Sequence, residues 1–250
     1  MDRGVLSDAA VVKASRDFVC ARLATYESAE EAKFLSSIAR TASGSLENTV
    51  FTVLAPDGKT PLVPAGRGPH HAFGGTRDDS AKETAAGLGR IAAQHPGKPG
   101  VMRQVPYLED LRLGLNVASC DLLPLVVVAA KDAESRKKVE DALAPLAWNT
   151  AFIGRLEYAA AADLADLKKI DGAVQREGIV VVEPDAYGLK GKALAQSATA
   201  SEADLRKALE AGLKGFVPKS KDSRRHIEEG HRAGVYWKTE IPVTDPKAPK

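Results

Sequence analysis

Few side chains in this 250-residue chain carry chemistry beyond packing, and their spacing limits what they can do. The two cysteines, Cys20 and Cys120, are too few for a disulfide framework or a four-thiolate zinc site. Cys20 lies inside the apolar run Phe18-Val19-Cys20-Ala21-Arg22-Leu23, where it is expected to be a small buried hydrophobe on one face of a strand. Cys120 follows a helical stretch at Ser119-Cys120-Asp121, a place for a partly exposed but inert thiol. A bond between the two would have to join the halves of the chain, and nothing in the sequence supports one. His70-His71 stand together in a loop, with no carboxylate or thiol at ligand spacing. His226 and His231 are five apart and miss the i, i+4 geometry of a helical zinc pair. No metal and no cofactor is expected. Lys219, Lys221, Arg224 and Arg225 form a short basic run that Asp222 interrupts, so nucleic acid is not an expected partner. Tyr236-Trp237 stands out in a chain only 5% aromatic. Such a pair anchors a tail to its own domain or to a protein or peptide partner, and self-docking is the favoured expectation.

The composition frames these residues. Hydrophobic residues make up 44%, so with few aromatics the core must be built mainly from Ala, Val and Leu. Basic and acidic residues number 35 and 33, a net charge of +2 that argues against a polybasic binder or an acidic tail. Apolar content is too high for a disordered chain. No stretch approaches the roughly 18 apolar residues a membrane helix needs, so membrane insertion is not expected. The expectation is a soluble globular protein of two domains, spanning residues 1–97 and 104–217, with a C-terminal helix and extended tail at 218–250. The Pro/Gly positions 96, 97, 99 and 100 form the linker.

The first half reads as helix from Leu6, strand at 18–23, helix at 29–38 capped by Ser28, and strand at 49–54. Pro56-Asp57-Gly58-Lys59 is a turn that returns the chain at 61–65, and a helix follows over 78–94. The second half predicts a helix over 107–120, a fully buried strand at 122–129 and a charged helix over 132–143. Beyond these it predicts strands at 150–156 and 178–183, a short helix over 162–170 between them, a turn at 184–188 and a return at 189–194. Ser201 caps the last helix, running to Leu213. The halves read as an internal repeat, Phe18–Leu23 against Phe152–Leu156 and the Pro56-Asp57 turn against Pro184-Asp185.

The unit of the second half resembles the thioredoxin-like fold, a central sheet with helices on both faces. In the first half Asp2-Arg3-Gly4-Val5-Leu6-Ser7-Asp8, Val11-Val12 and Phe18-Val19 resemble the stretch just after the active-site cysteines of one thioredoxin-like branch. Val53-Leu54-Ala55-Pro56-Asp57-Gly58-Lys59 resembles the hairpin common in these domains. The resemblance covers most of residues 1–94 and, more weakly, 105–216. It implies two tandem α/β domains, each a three-layer α/β/α arrangement, the first lacking its leading central strand.

The departures bear most on function. Dithiol chemistry needs a low-pKa thiolate at a helix N-terminus and a second thiol to resolve the mixed disulfide. After the second-half strand the chain reads Ala130-Lys131-Asp132-Ala133-Glu134, without sulfur, and Asn48-Thr49 and Glu177-Gly178 lack the proline that the resemblance implies. The expected function is therefore a non-catalytic tandem thioredoxin-like binding or scaffold protein, with no catalytic residue. The alternative is a thiol-disulfide oxidoreductase whose Cys-x-x-Cys lies upstream of Met1; one-cysteine redox or metal handling by Cys20 or Cys120 is a weaker third. Loss of a central strand would leave buried strand edges unpaired, at about 1–3 kcal/mol for each lost backbone partner. The preferred expectation is thus a natural protein that extends upstream, with a signal segment and an extracytoplasmic or periplasmic location; otherwise it is cytoplasmic. Residues 236–241 alternate like a strand, but their Lys and Glu suit an edge and not the missing centre.

Overall fold

The computed structural model describes residues 4–21, 23, 28–39, 49–76, 80–97, 104–108, 110–219 and 221–236. The chain divides into two compact units, one within residues 1–99 and the other Gly100–Tyr236.

In the first unit, α1 (Ala9–Ser15) starts where the Asp8 carboxylate accepts from the backbone N–H of Ala10 and Val11. Helix α2 (Ala29–Ile38) starts in the same way at Ser28, whose hydroxyl accepts from Glu31 N–H. Pro69 opens the short α3 (Pro69–Phe73), and α4 (Ser80–Gln94) follows. A small core of Val11, Val53 and Leu88 gathers Phe18, Phe51, Phe73 and Ile91 around it. The Phe51 and Phe73 rings meet edge to face, with centroids 6.1 Å apart.

This unit departs from expectation at its strands. The described residues of 18–23 form no strand. The N–H groups of Arg16, Asp17 and Phe18 bond back to carbonyls of Lys13, Ala14 and Ser15, so the turn that ends α1 reaches into the first residue of the expected strand. Phe18 turns toward the core while Val19 is 81% exposed, and Cys20 is exposed where a buried strand residue was expected. Residues 49–66 pair only through isolated antiparallel bridges, Phe51 to Gly66 and Leu54 to Pro61. Among the described residues the first unit has no strand ladder, so the reading of a sheet with a missing centre does not apply to them.

The second unit is built on a six-stranded mixed sheet. Its strands are β1 (Tyr107–Leu108), β2 (Leu125–Ala129), β3 (Glu157–Ala160), β4 (Ile170–Asp171), β5 (Gly178–Pro184) and β6 (Gly191–Ser197). They lie in the order β1-β3-β2-β5-β6-β4. Strands β1, β3 and β2 are parallel, β5 runs antiparallel to β2, and β5 and β6 form an antiparallel hairpin. The short β4 runs parallel to β6 at the edge.

Every residue of β2 is fully buried, which explains its unbroken Leu-Val-Val-Val-Ala sequence. Alternation sends Val126 and Val128 into one core, with Leu143 and Leu146 of α6 (Ala133–Ala147) and Leu205 and Leu209 of α7 (Glu202–Gly215). Leu125, Val127 and Ala129 face the other core, with Leu111, Leu115 and Ala118 of α5 (Leu111–Asp121). The unit is therefore layered helix, sheet, helix.

Three local expectations change here. The strand expected at 150–156 is a series of turns held by N–H groups of Phe152 and Ile153 on the Asn149 carbonyl, and the strand begins only at Glu157. The helix expected from Tyr107 starts at Leu111, after Tyr107 and Leu108 have paired with β3. The segment read as a helix over 162–170 is a 3-10 stretch, Leu164–Lys169, opened by the Asp163 carboxylate. The stretches matched as a repeated strand, 18–23 and 152–156, thus lack strand structure at every described residue of both. After α7 the described residues form one further helix, α8 (Ser223–Arg232).

Candidate functional site

The carboxyl end of β2 delivers the chain into α6, and this junction carries a cluster of hydrogen-bonded polar side chains. Asp132 precedes α6 in extended conformation and accepts from the Ser135 N–H at 2.7 Å. The Ser135 hydroxyl donates to the same carboxylate oxygen. The Asp132 carboxyl is held below its ordinary range, first by the Ser135 hydroxyl and then by the Ser135 N–H. Two residues separate Asp132 from Ser135, and their side chains meet at the first turn of the helix. The absence of sulfur is plain in the sequence, whereas the only sequence signal of this pairing is the Asp-x-x-Ser spacing.

The neighbouring strand completes the site. The Lys131 N–H donates to a Glu177 carboxylate oxygen at 3.1 Å, and the Lys131 ammonium lies 3.8 Å from it. Glu177 immediately precedes β5, whose first residue, Gly178, pairs with Ala129. Gly178 has φ +120°, and a Cβ there would fall 1.9 Å from the Ser197 carbonyl oxygen. Proline requires φ near −65°. The conformation that joins β5 to β6 is thus incompatible with proline at this position. The site presents an ammonium, two carboxylates and a hydroxyl, all tied to backbone or to each other. This set can hold a polar chain segment by hydrogen bonds, but it offers no thiolate nucleophile.

The two thiols lie elsewhere. The Cys20 Sγ donates to the Ser15 carbonyl at 3.8 Å; although the residue is exposed, burial of the sulfur against the end of α1 pushes its pKa up. A raised thiol pKa leaves little thiolate at neutral pH. Cys120 is exposed near the end of α5, which leads into the amino end of β2, opposite the end that carries Asp132. The structure therefore places Cys120 apart from the β2–α6 junction.

A second polar cluster, which no local sequence motif predicts, surrounds the start of α8. The Lys221 ammonium donates to the Ser119 carbonyl, the Ser119 hydroxyl and the Ala186 carbonyl at 3.0, 2.8 and 2.6 Å. Desolvation lowers the Lys221 pKa, while Cys120 and Asp185 act in the opposite sense. The Tyr187 ring stacks on His226 at 4.4 Å. Tyr236 is 71% exposed and stacks on His231 at 5.1 Å, while Trp237 lies outside the described residues.

His70 and His71 have ring centroids 4.1 Å apart. Among the described residues no group of three or more His, Cys, Asp or Glu side chains is placed to hold a metal ion. No described helix is long and apolar enough to cross a membrane. A hollow of about 260 Å³ lies between Phe152, Arg155, Leu213 and Lys214; it is wide open to solvent and smaller than a ligand pocket of ordinary size. Comparison of the chain with known protein families, with characterised proteins and with solved structures gives no significant match.

Proposed function

We propose that this chain is a non-catalytic thioredoxin-like binding or scaffold protein whose partner is a protein or peptide. The reading is supported by the second unit. The resemblance implies strand, helix, strand, helix, hairpin and helix around a central sheet, and the run β2, α6, β3, the 3-10 stretch, β5–β6 and α7, with helices on both faces, follows that order. In the first unit the support is limited to the turn at Asp57 and the order of helices. The tandem part of the proposal rests on those alone.

One observation carries the functional half of the proposal. Where a thioredoxin-like dithiol would stand, at the mouth of the helix after the central strand, the chain has Asp132 and Ser135 bonded to each other. A carboxylate and a hydroxyl at that position bind polar groups and do not exchange disulfides. Insulin reduction by dithiothreitol tests this directly. The chain is expected to leave the rate at that of the reductant alone. Acceleration that disappears in the Cys20→Ser, Cys120→Ser double variant would overturn the proposal.

A further inference from the structure

Helix α8 is polar on nearly every side. Of its ten residues only Gly230 is buried, and even Ile227 is 56% exposed. The ion pairs Arg224–Glu228 and Arg225–Glu229 run along its surface, at 3.2 and 2.7 Å. A helix this short is below the roughly 12–15 residues at which an isolated helix becomes even marginal in water. Its persistence depends on what it docks against.

Among the described residues the docking contacts are few. Lys221, just ahead of the helix, places its ammonium in a nest of three oxygens from Ser119 and Ala186. The Ser119 hydroxyl in turn donates to the Asp185 carbonyl at 2.8 Å, so the nest belongs to α5 and to the β5–β6 turn together. Tyr187, in that turn, lies flat on His226, with rings 13° from parallel, and its hydroxyl donates to the His226 carbonyl at 3.3 Å. One turn further on, Gly230 faces the edge of the same ring, and a Cβ there would stand 2.9 Å from it. A further tie among the described residues is Lys219, whose side chain is exposed, with the partly buried Glu183 at 3.2 Å. The stretch between α7 and Lys219 has no regular structure and contains Pro218.

We infer that α8 is a latched strap: it opens and closes as one unit over the turn at residues 185–188, held shut by Lys221 and Tyr187. The physical reason is the contrast in what holds each part. The sheet beneath is fixed by two cores, whereas among the described residues α8 is held chiefly by one ammonium nest and one aromatic ring. Losing either contact removes the support a ten-residue helix needs, so the helix leaves as a whole and does not fray. Opening uncovers the Ser119 and Ala186 oxygens and the Tyr187 face without disturbing β2 or β5.

Amide hydrogen exchange on the full chain tests this. In the unmodified protein the α8 amides are expected to exchange with one shared protection factor, lower than that of β2 and β5. Lys221→Met keeps the aliphatic stem and removes the ammonium; it is expected to speed α8 exchange at least tenfold and leave the sheet unchanged. Tyr187→Phe keeps the stack and loses one hydrogen bond, for an expected two- to threefold gain. Gly230→Ala is the sharpest variant, because alanine favours an isolated helix. A strap closed against the Tyr187 ring is expected to exchange several-fold faster with alanine there. Slower exchange in Gly230→Ala would overturn the inference. So would α8 rates graded from its ends and unmoved by Lys221→Met, or acceleration of α8 and the sheet in equal measure.

Discussion

Two turns in this molecule use the same residues and reach different ends. At Asp57, the carboxylate accepts from the N–H groups of Lys59 and Thr60 and from the Thr60 hydroxyl, and Gly58 sits at φ +67°. At Asp185, the carboxylate accepts from the N–H groups of Tyr187, Leu189 and Lys190, and Gly188 sits at φ +65°. Both are carboxylate-organised turns with a left-handed glycine. The first joins segments that meet at two isolated bridges; the second joins two seven-residue strands paired along their length, with one register shift between Val181 and Val182. Gly58 has open space around it, whereas a Cβ on Gly188 would fall 2.4 Å from the Asn116 Cα in α5. Local turn chemistry reverses a chain. Packing against a neighbouring helix and a buried central strand makes the reversed chain a sheet.

Substitutions in paired positions measure this difference, here by urea denaturation of the full chain. Leu209→Ala in α7 removes a fully buried side chain from the core over β2 and is expected to cost about 3–5 kcal/mol. Leu88→Ala in α4, 6% exposed in a much smaller core, is expected to fall near 2 kcal/mol. Equal costs would mean that the first unit is packed as tightly as the second.

The glycines come next. Gly188→Ala adds backbone strain and a collision with α5 main chain, for an expected loss of about 3 kcal/mol. Gly58→Ala meets only the backbone term, about 1 kcal/mol. A Gly188→Ala loss no larger than that of Gly58→Ala would contradict the close approach.

Acid titration resolves the Asp57 turn by itself. Its carboxyl is held down to about 2, first by the Thr60 hydroxyl and then by the Thr60 and Lys59 N–H groups. A folded-state pKa below the ordinary carboxylate range means the contribution is complete above that range and is lost as pH falls toward 2. NMR titration of Asp57 should show this depressed midpoint, and Thr60→Val should raise it toward the ordinary value. The smallest effect is expected at Tyr158, whose buried hydroxyl has no hydrogen-bond partner among the described residues. Tyr158→Phe removes that unmet group and should be neutral or stabilising by up to about 1 kcal/mol.

The same comparison explains which features could be read from the sequence. Strand β2 was legible because five consecutive apolar residues between a helix end and a charged helix leave little else for them to be. The Asp57 and Asp185 turns were legible because their chemistry is contained within a few residues. The run at 18–23 misled because an apolar stretch becomes a strand only with a partner, and its first residue, Phe18, donates back to Ser15 at the end of α1. The 150–156 run misled for the same reason, with Asn149 as the competing acceptor. Of the candidate site, the missing sulfur at 130–134 was visible. The Asp132–Ser135 bond depended on the start of α6, and the Glu177 contact on a strand 46 residues away. The Lys221 nest joins residues 102 apart, which no local pattern encodes.

In the proposed thioredoxin-like reading of the second unit, Asp132 and Ser135 stand at the two sulfur positions. Asp132→Cys with Ser135→Cys, built on Cys20→Ser and Cys120→Ser, tests it by thiol titration after equilibration with oxidised glutathione. The frame should close one intramolecular disulfide, and after reduction one thiol should titrate below the ordinary value of about 8.5, as at other helix N-termini. Two thiols that stay reduced in the folded variant, each with an ordinary pKa, would contradict the claim.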